Sequence, residues 1–214
     1  MFVDGENMEV ELKFLIEDSL ARDRILKDNH LATIADEGSQ EEIELKATYF
    51  DTDDLDFCKQ KIAFRVRFEN DKLIATLKWG GEVKDGLHVR GELNAPVDLS
   101  YIENPDLDIF KDSEIYDEIK SLRGDKPLKP IMEINCLRKQ MTVDTGLSID
   151  VVSLDIGEIV TPKGNAPIAE LEIELYSGDK DDMVALGREL AAKYNLQVGE
   201  KSKFQVGLEL LGIE

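Results

Sequence analysis

Three charged residues, Glu9, Glu11 and Lys13, occupy every second position of the segment MEVELKFLI, residues 8–16. Successive side chains of an extended strand point to opposite faces, so these three share one face while Val10, Leu12 and Phe14 share the other. Taken alone, a charged face is the wet side of an antiparallel sheet. The pattern repeats, however. Arg65 and Arg67 alternate with Phe64, Val66 and Phe68, Lys78 follows Thr76, Arg90 precedes Glu92, Arg138 lies in a strand-like run, Asp155 ends another, and Glu170, Glu172 and Glu174 form a row of acids. Lys201 and Lys203 stand near the C-terminus in EKSKF.

The chemistry available to such rows is specific. Guanidinium forks and mobile ammonium groups match phosphate oxygens. Carboxylates repel phosphate but take hard divalent cations, which bridge to phosphate oxygens. A Glu-x-Glu pair on one strand sets two carboxylates about 7 Å apart on one face, within reach of one ion. Acid rows and base rows fall on different strands, which predicts two walls. Ordinary surface would mix the signs along each strand. A barrel of about eight strands leaves room inside for one small ligand, and ions enclosed there must be paired, hydrated or ligand-bound. The residues therefore describe a pocket for a metal–polyphosphate complex.

Elements able to position these residues are visible as alternation in 9–14, 63–68, 73–79, 88–93, 131–141, 147–154 and 169–176. The expectation is a mainly antiparallel β protein. Helical spacing appears at 17–29, 115–122 and 182–194, as helices that cover the sheet. The acidic segment 94–130 carries four of the six prolines and is expected to cover the sheet between two β halves of one domain. EVELK near the start and ELEIE at 170–174 share one charged alternation, as two strands paired in a closed sheet would.

Composition narrows the class. The 214 residues, 42% hydrophobic, suffice for a core, and the formal charge of −20 disfavours nucleic acid and anionic membrane surfaces as partners. Seven bases (Lys13, Arg65, Arg67, Lys78, Arg90, Arg138, Lys203) balance seven acids (Glu9, Glu11, Glu92, Asp155, Glu170, Glu172, Glu174), so the other residues carry the whole −20. No run of about 18 apolar residues and no signal-peptide pattern is present, which points to a cytoplasmic protein. Cys58, Cys136, His30 and His88 are too scattered for a disulfide framework or a closed zinc site. GEKS (199–202) lacks the glycines of a P-loop, and DTDDLD (51–56) lacks the EF-hand glycine. His88 and Trp79 are expected to serve packing and hydrogen bonding.

Beyond E9-x-E11-x-K13, the motifs YFDT (49–52), RVR (65–67), TLK (76–78), GLHVRGE (86–92), LDIGEI (154–159), ELEIEL (170–175) and SK (202–203) occur in order along nearly the whole chain. Together they resemble the CYTH family, the triphosphate tunnel metalloenzymes, and within it the bacterial inorganic triphosphatases. The resemblance implies an α+β, mainly antiparallel fold: an eight-stranded closed tunnel covered by helices. It also implies hydrolysis of inorganic triphosphate to pyrophosphate and phosphate with Mg2+ or Mn2+. Carried over by motif, Lys13, Arg65, Arg67, Lys78, Arg90, Arg138 and Lys203, with Lys201 as the alternative in KSK, would hold phosphates. Glu9, Glu11, Glu170 and Glu172 would hold metal, and Asp155, Glu92 and Glu174 would bind metal, orient water or pair with the bases. Catalytic roles are expected of Glu9, Glu11, Lys13, Glu92 and Asp155.

Many relatives carry a helical CHAD domain after the CYTH domain. The expectation here is a single CYTH domain over 1–214, as a monomer or homodimer. The family also includes thiamine and nucleoside triphosphatases and class IV adenylate cyclases, and a non-catalytic polyphosphate or nucleotide binder is a further alternative. A cyclase must seat a purine and ribose, for which no added motif appears. A pure phosphate binder gains nothing from the acid row.

Overall fold

The computed structural model describes residues 8–213. Nine strands run β1 (Met8–Leu15), β2 (Glu41–Asp51), β3 (Ala63–Glu69), β4 (Lys72–Lys84), β5 (Leu87–Pro96), β6 (Lys129–Asp144), β7 (Ser148–Thr161), β8 (Gly164–Gly178) and the short β9 (Gln197–Val198). They hydrogen-bond in the order β5-β4-β3-β2-β6-β7-β8-β1, and a β1–β5 pairing closes the circle. The result is an eight-stranded antiparallel barrel, with β9 added beside β1. The two similar acidic segments are adjacent: Glu11 faces Glu174, and Lys13 faces Glu172, across the β1–β8 ladder.

The apolar side of the first strand points outward. Leu12 and Phe14 of β1, Val152 and Leu154 of β7, and Leu171 and Ile173 of β8 are buried beneath helices α1 (Ser19–Ile25), α2 (Asn29–Ile34) and α6 (Lys180–Tyr194). A second outer cluster joins Phe64, Val66, Leu73, Ala75 and Leu77 of β3 and β4 to Phe57 of α3 (Asp56–Lys59). The segment between β5 and β6, with α4 (Ser100–Glu103) and α5 (Tyr116–Arg123), adds Leu107, Phe110, Ile115 and Ile119 to it. Each fully buried side chain of this size contributes about 1.5–3 kcal/mol. With both outer flanks covered, the charged faces are left to the lumen.

The structure departs from the sequence expectations in three elements. The helix expected over 17–29 ends at Ile25, and a second helix, α2, which was not expected, begins at Asn29 where the buried Asp28 accepts from the backbone of His30 and Leu31 as its cap. Strand β2 was absent from the alternating runs. The C-terminal helix α7 (Lys203–Leu210) was also absent, and it packs against a third apolar cluster formed by Leu45, Ala47, Tyr49, Met132, Ile134 and Ile159.

Candidate functional site

Alternation along each strand sends the charged positions into a cavity of about 910 Å3. The strand order then sorts them. From β5 through β4, β3 and β2 to β6 the wall carries Arg90 with Glu92, Lys78, Arg65 with Arg67, Tyr49 and Arg138, Glu92 being its one acid among these. From β7 through β8 to β1 it carries Asp155, then Glu172 and Glu174, then Glu9 and Glu11 with Lys13. Segregation by strand therefore becomes two arcs facing one space.

Where the arcs meet, opposite charges close on each other. On one side Glu9 takes Lys78 at 2.8 Å and Arg90 at 2.6 Å, and Lys78 also reaches Glu92 at 2.6 Å. Burial works upward on the Glu9 carboxyl, but Lys78 and Arg90 outweigh it and hold its pKa well below the carboxylate range. On the other side, Lys13 lies 2.9 Å from Glu172 and 3.3 Å from Glu170, while Lys203 lies 2.6 Å and 2.7 Å from the same two oxygens. Arg138 and Lys203 both engage Asp155 at 2.8 Å, and Arg138 adds Glu172 at 2.6 Å. Against the opposing effect of burial, these partners drive Glu172 well down and Lys203 and Arg138 up.

Two guanidiniums stand outside this neutralisation. Arg65 donates to the Tyr49 hydroxyl at 3.3 Å, with no carboxylate of the described residues in salt-bridge range, and Arg67 meets Glu69 alone. The Nε atoms of both are buried without a hydrogen-bond partner among the described residues. Burial first, then the neighbouring Arg65 and Arg138, push the Arg67 pKa down against Glu69. Across the lumen the acids have a matching excess. Glu11 has one ammonium in range, Lys13 at 3.6 Å. Glu174 is exposed toward the lumen yet ringed by protein; enclosure, then Glu9 and Glu92, push its pKa up to about 7. No three acidic, histidine or cysteine side chains among the described residues converge as a ready metal cage, because most tunnel acids turn to a base instead.

Helix α7 supplies the last base. Ser202 caps it through a capping box with Gln205, placing Lys203 at its first position and Phe204 on the Tyr49 ring at 5.0 Å between centroids. Lys201 lies one residue outside the cap, exposed and 2.7 Å from Glu209. The lumen thus gathers Lys203 with the other expected residues, while the Lys201 ammonium sits at the rim. Glu170 joins the cluster through Lys13 and Lys203. Tyr49 was missed as an individual residue. Its presence in YFDT, two positions after Ala47 on the same strand face, was the available signal. Trp79 borders the cavity but packs on Gly91, where an added Cβ would come within 2.3 Å of the indole.

Known proteins give the arrangement a family. The chain matches the CYTH domain over residues 7–208. It is 32% identical over 165 residues, 77% of its length, to an inorganic triphosphatase of Haemophilus influenzae. Only 45% of that relative is covered, so the chain spans less than half its length. In fold it is similar to a Hippeastrum candidate adenylyl cyclase described by a dominant triphosphatase activity, with TM-score 0.66, 17% identity and coverage of 96% and 97%. It is also similar to a candidate adenylate cyclase of Bacillus halodurans, with TM-score 0.57, 20% identity and coverage of 94% and 97%. A family match over nearly the whole chain, on a closed barrel whose lumen carries the charged motifs, makes this protein a member of the CYTH family.

Proposed function

We propose that this chain is a cytoplasmic enzyme that hydrolyses inorganic triphosphate to pyrophosphate and phosphate with Mg2+ or Mn2+. The observation that carries the reading is the pair of partly buried guanidiniums, Arg65 and Arg67, whose buried Nε groups lack partners among the described residues in a lumen bounded on its other side by carboxylates. Phosphate oxygens satisfy such donors with charge-assisted bonds. Lys78, Arg90, Arg138, Lys13 and Lys203 would complete the anion site by turning from their present acids to the substrate.

The acid arc suits a divalent cation. Glu11 and Glu174 stand directly opposite on adjacent strands, a like-charge pairing that destabilises a ladder unless a cation intervenes. Burial first, then Glu9 and Glu92, raise the pKa of Glu174, and Glu11 adds to them. Glu9, Glu11, Glu170, Glu172 and Glu174 would hold the ion, with Asp155 bracing them through Arg138 and Lys203. When bound, a divalent cation neutralises the phosphate oxygens. Glu92, tied to Lys78, and the other acids not engaged by the ion would orient the attacking water. Phosphoryl transfer of this kind needs position and charge rather than a covalent nucleophile.

Inorganic triphosphate is ranked ahead of a nucleoside or thiamine triphosphate because no added motif for a purine and ribose appears and the Trp79 indole packs closely on Gly91. The test is phosphate release from inorganic triphosphate, ATP and thiamine triphosphate with Mg2+ or Mn2+, beside an EDTA control. Metal-dependent release, greatest for inorganic triphosphate and abolished in a folded Glu9→Ala variant, is expected. Unchanged turnover in that variant would overturn the reading, and tight binding without release would convert the protein to a binder.

A further inference from the structure

We infer that His88 is a positioning residue, which holds Lys13 and Lys203 over their shared carboxylates by pinning the backbone at Gly199. The inference rests on the proposed phosphate-binding role of those two lysines. Lys13 lies where β1 leaves β5 and meets β9. Its backbone N–H donates to the Gly86 carbonyl at 2.9 Å, and its own carbonyl accepts from the Gly199 N–H at 3.0 Å. The stem of Lys13 then runs along Gly199 so closely that an added Cβ there would fall 2.6 Å from Lys13 Cγ and 3.0 Å from Cδ. Gly199 is therefore one wall of the slot that aims the Lys13 ammonium.

His88 fixes that wall. Its ring is 2% exposed and its Nε2 lies 2.8 Å from the Gly199 carbonyl. A carbonyl only accepts, so Nε2 carries the proton and donates. Burial, helped by Lys13 and opposed by the Gly199 bond, keeps the ring pKa below its ordinary value. His88 also faces Glu11 across the β1–β5 ladder, so the bond joins the charged strand to the C-terminal segment. Three residues beyond Gly199 stands Ser202, the cap of α7, and next to it Lys203. One buried hydrogen bond thus sets both ammonium groups that share Glu170 and Glu172.

The test uses the full chain and two readouts. Acetylation by an N-hydroxysuccinimide ester, read residue by residue by mass spectrometry, reports the enclosure of Lys13 without any turnover. The wild type should protect Lys13 while labelling Lys201. His88→Leu should raise Lys13 labelling roughly tenfold, the effect of losing one buried hydrogen bond. His88→Gln, whose amide nitrogen can donate to the same carbonyl, should restore protection. In hydrolysis assays His88→Leu should lower kcat/KM roughly 10- to 100-fold through misplacement of the lysines, and His88→Gln should restore it. His88→Asn, whose shorter amide falls short of the Gly199 carbonyl, should expose Lys13 as well, and it decides the matter if His88→Leu does not fold. Protection of Lys13 retained in folded His88→Leu or His88→Asn overturns the inference. Absence of phosphate release from the wild type would overturn the hydrolase reading instead, and leave the labelling result to judge the positioning role.

Discussion

Replacing Arg67 by methionine should strengthen the ligand-free fold while weakening triphosphate binding. Methionine keeps the unbranched length of the side chain and fills irregular space. Arg67 is 16% exposed, its pKa is pushed down by burial, Arg65 and Arg138, and Glu69 is its one salt-bridge partner among the described residues. Exchanging a whole buried ion pair for apolar groups is commonly neutral to stabilising by about 1–4 kcal/mol, and here Glu69, although it loses its partner, is 22% exposed and can turn to water. Loss of the Glu69 contact brings the expected gain to about 1 kcal/mol, or roughly 2–4 °C in Tm for a chain of this size. The same change removes a charge-assisted contact to phosphate, worth about 1.5–3 kcal/mol, or roughly 10- to 150-fold in Kd. Scanning fluorimetry with and without triphosphate and Mg2+ measures both. At ligand equal to 100 times the wild-type Kd, binding stabilises the wild type by about 2.7 kcal/mol and a variant weakened a hundredfold by about 0.4 kcal/mol. A lower Tm for the free variant, or a ligand shift equal to wild type, would refute the view that Arg67 is kept at a cost in stability for an anion.

Lys203→Met should cost about 3–5 kcal/mol, measured by denaturant unfolding, because it leaves Glu170, Glu172 and Asp155 short of a buried partner. Lys201→Met, which removes an exposed pair with Glu209, should change stability by less than about 1 kcal/mol. Outside the lumen, Asp150 is buried, and burial with the nearby Asp182 raises its pKa against a bond from Ser148. A raised folded pKa favours the fold below the unfolded pKa and loses that contribution as pH rises through the folded value. Tm should therefore fall as pH rises from just under 4, and Asp150→Asn should flatten this part of the profile. Gly187→Ala should destabilise the protein by about 1–3 kcal/mol in a thermal melt, since the new methyl meets Leu12 at 2.2 Å and overpacking outweighs the helix-propensity gain of about 1 kcal/mol.

Strands β1, β3 and β8 were legible because their lumen positions are charged and their outer positions apolar, a contrast that survives without knowing which face is inside. β2 inverts it. Glu42, Glu44 and Lys46 face away from the lumen, while Leu45, Ala47 and Tyr49 turn inward beneath α7. Its pattern acquires meaning only once that helix is in place. KFQVGLEL is short and interrupted by Gly207, where an added Cβ would meet the Met132 sulfur at 2.3 Å, so close packing inside the barrel, rather than propensity, explains the glycine. A signal for its start was nonetheless present. Ser202 followed by Gln205 is a capping box, and reading it would have separated Lys203, inside the helix, from Lys201 outside. Asp28 likewise marked a break in the first helical segment through its capping bonds. The pairing of particular acids with particular bases was not readable, since it depends on how the closed circle places β7 and β8 against α7.

That pairing also constrains how the lumen can load. Lys13 and Lys203 share the same oxygens of Glu172 and Glu170, and Arg138 divides its contacts between Asp155 and Glu172. A phosphate chain that drew these bases away on its own would leave several buried carboxylates uncompensated, a change that costs several kcal/mol. A cation that drew the acids away alone would strand the bases in the same manner. Each ligand relieves the penalty imposed by the other, so affinity for the two together exceeds what either shows alone, and by linkage the gain is equal in both directions. Arg65 and Arg67, already without comparable partners, are the groups from which an anion can begin without breaking the lysine cluster. Opposite them, Glu11 and Glu174 stand in the same position for a cation. The near-neutral lumen of a chain with net charge −20 is on this account a stand-in state, in which the two arcs hold each other until an anion and a cation together replace the contacts between them.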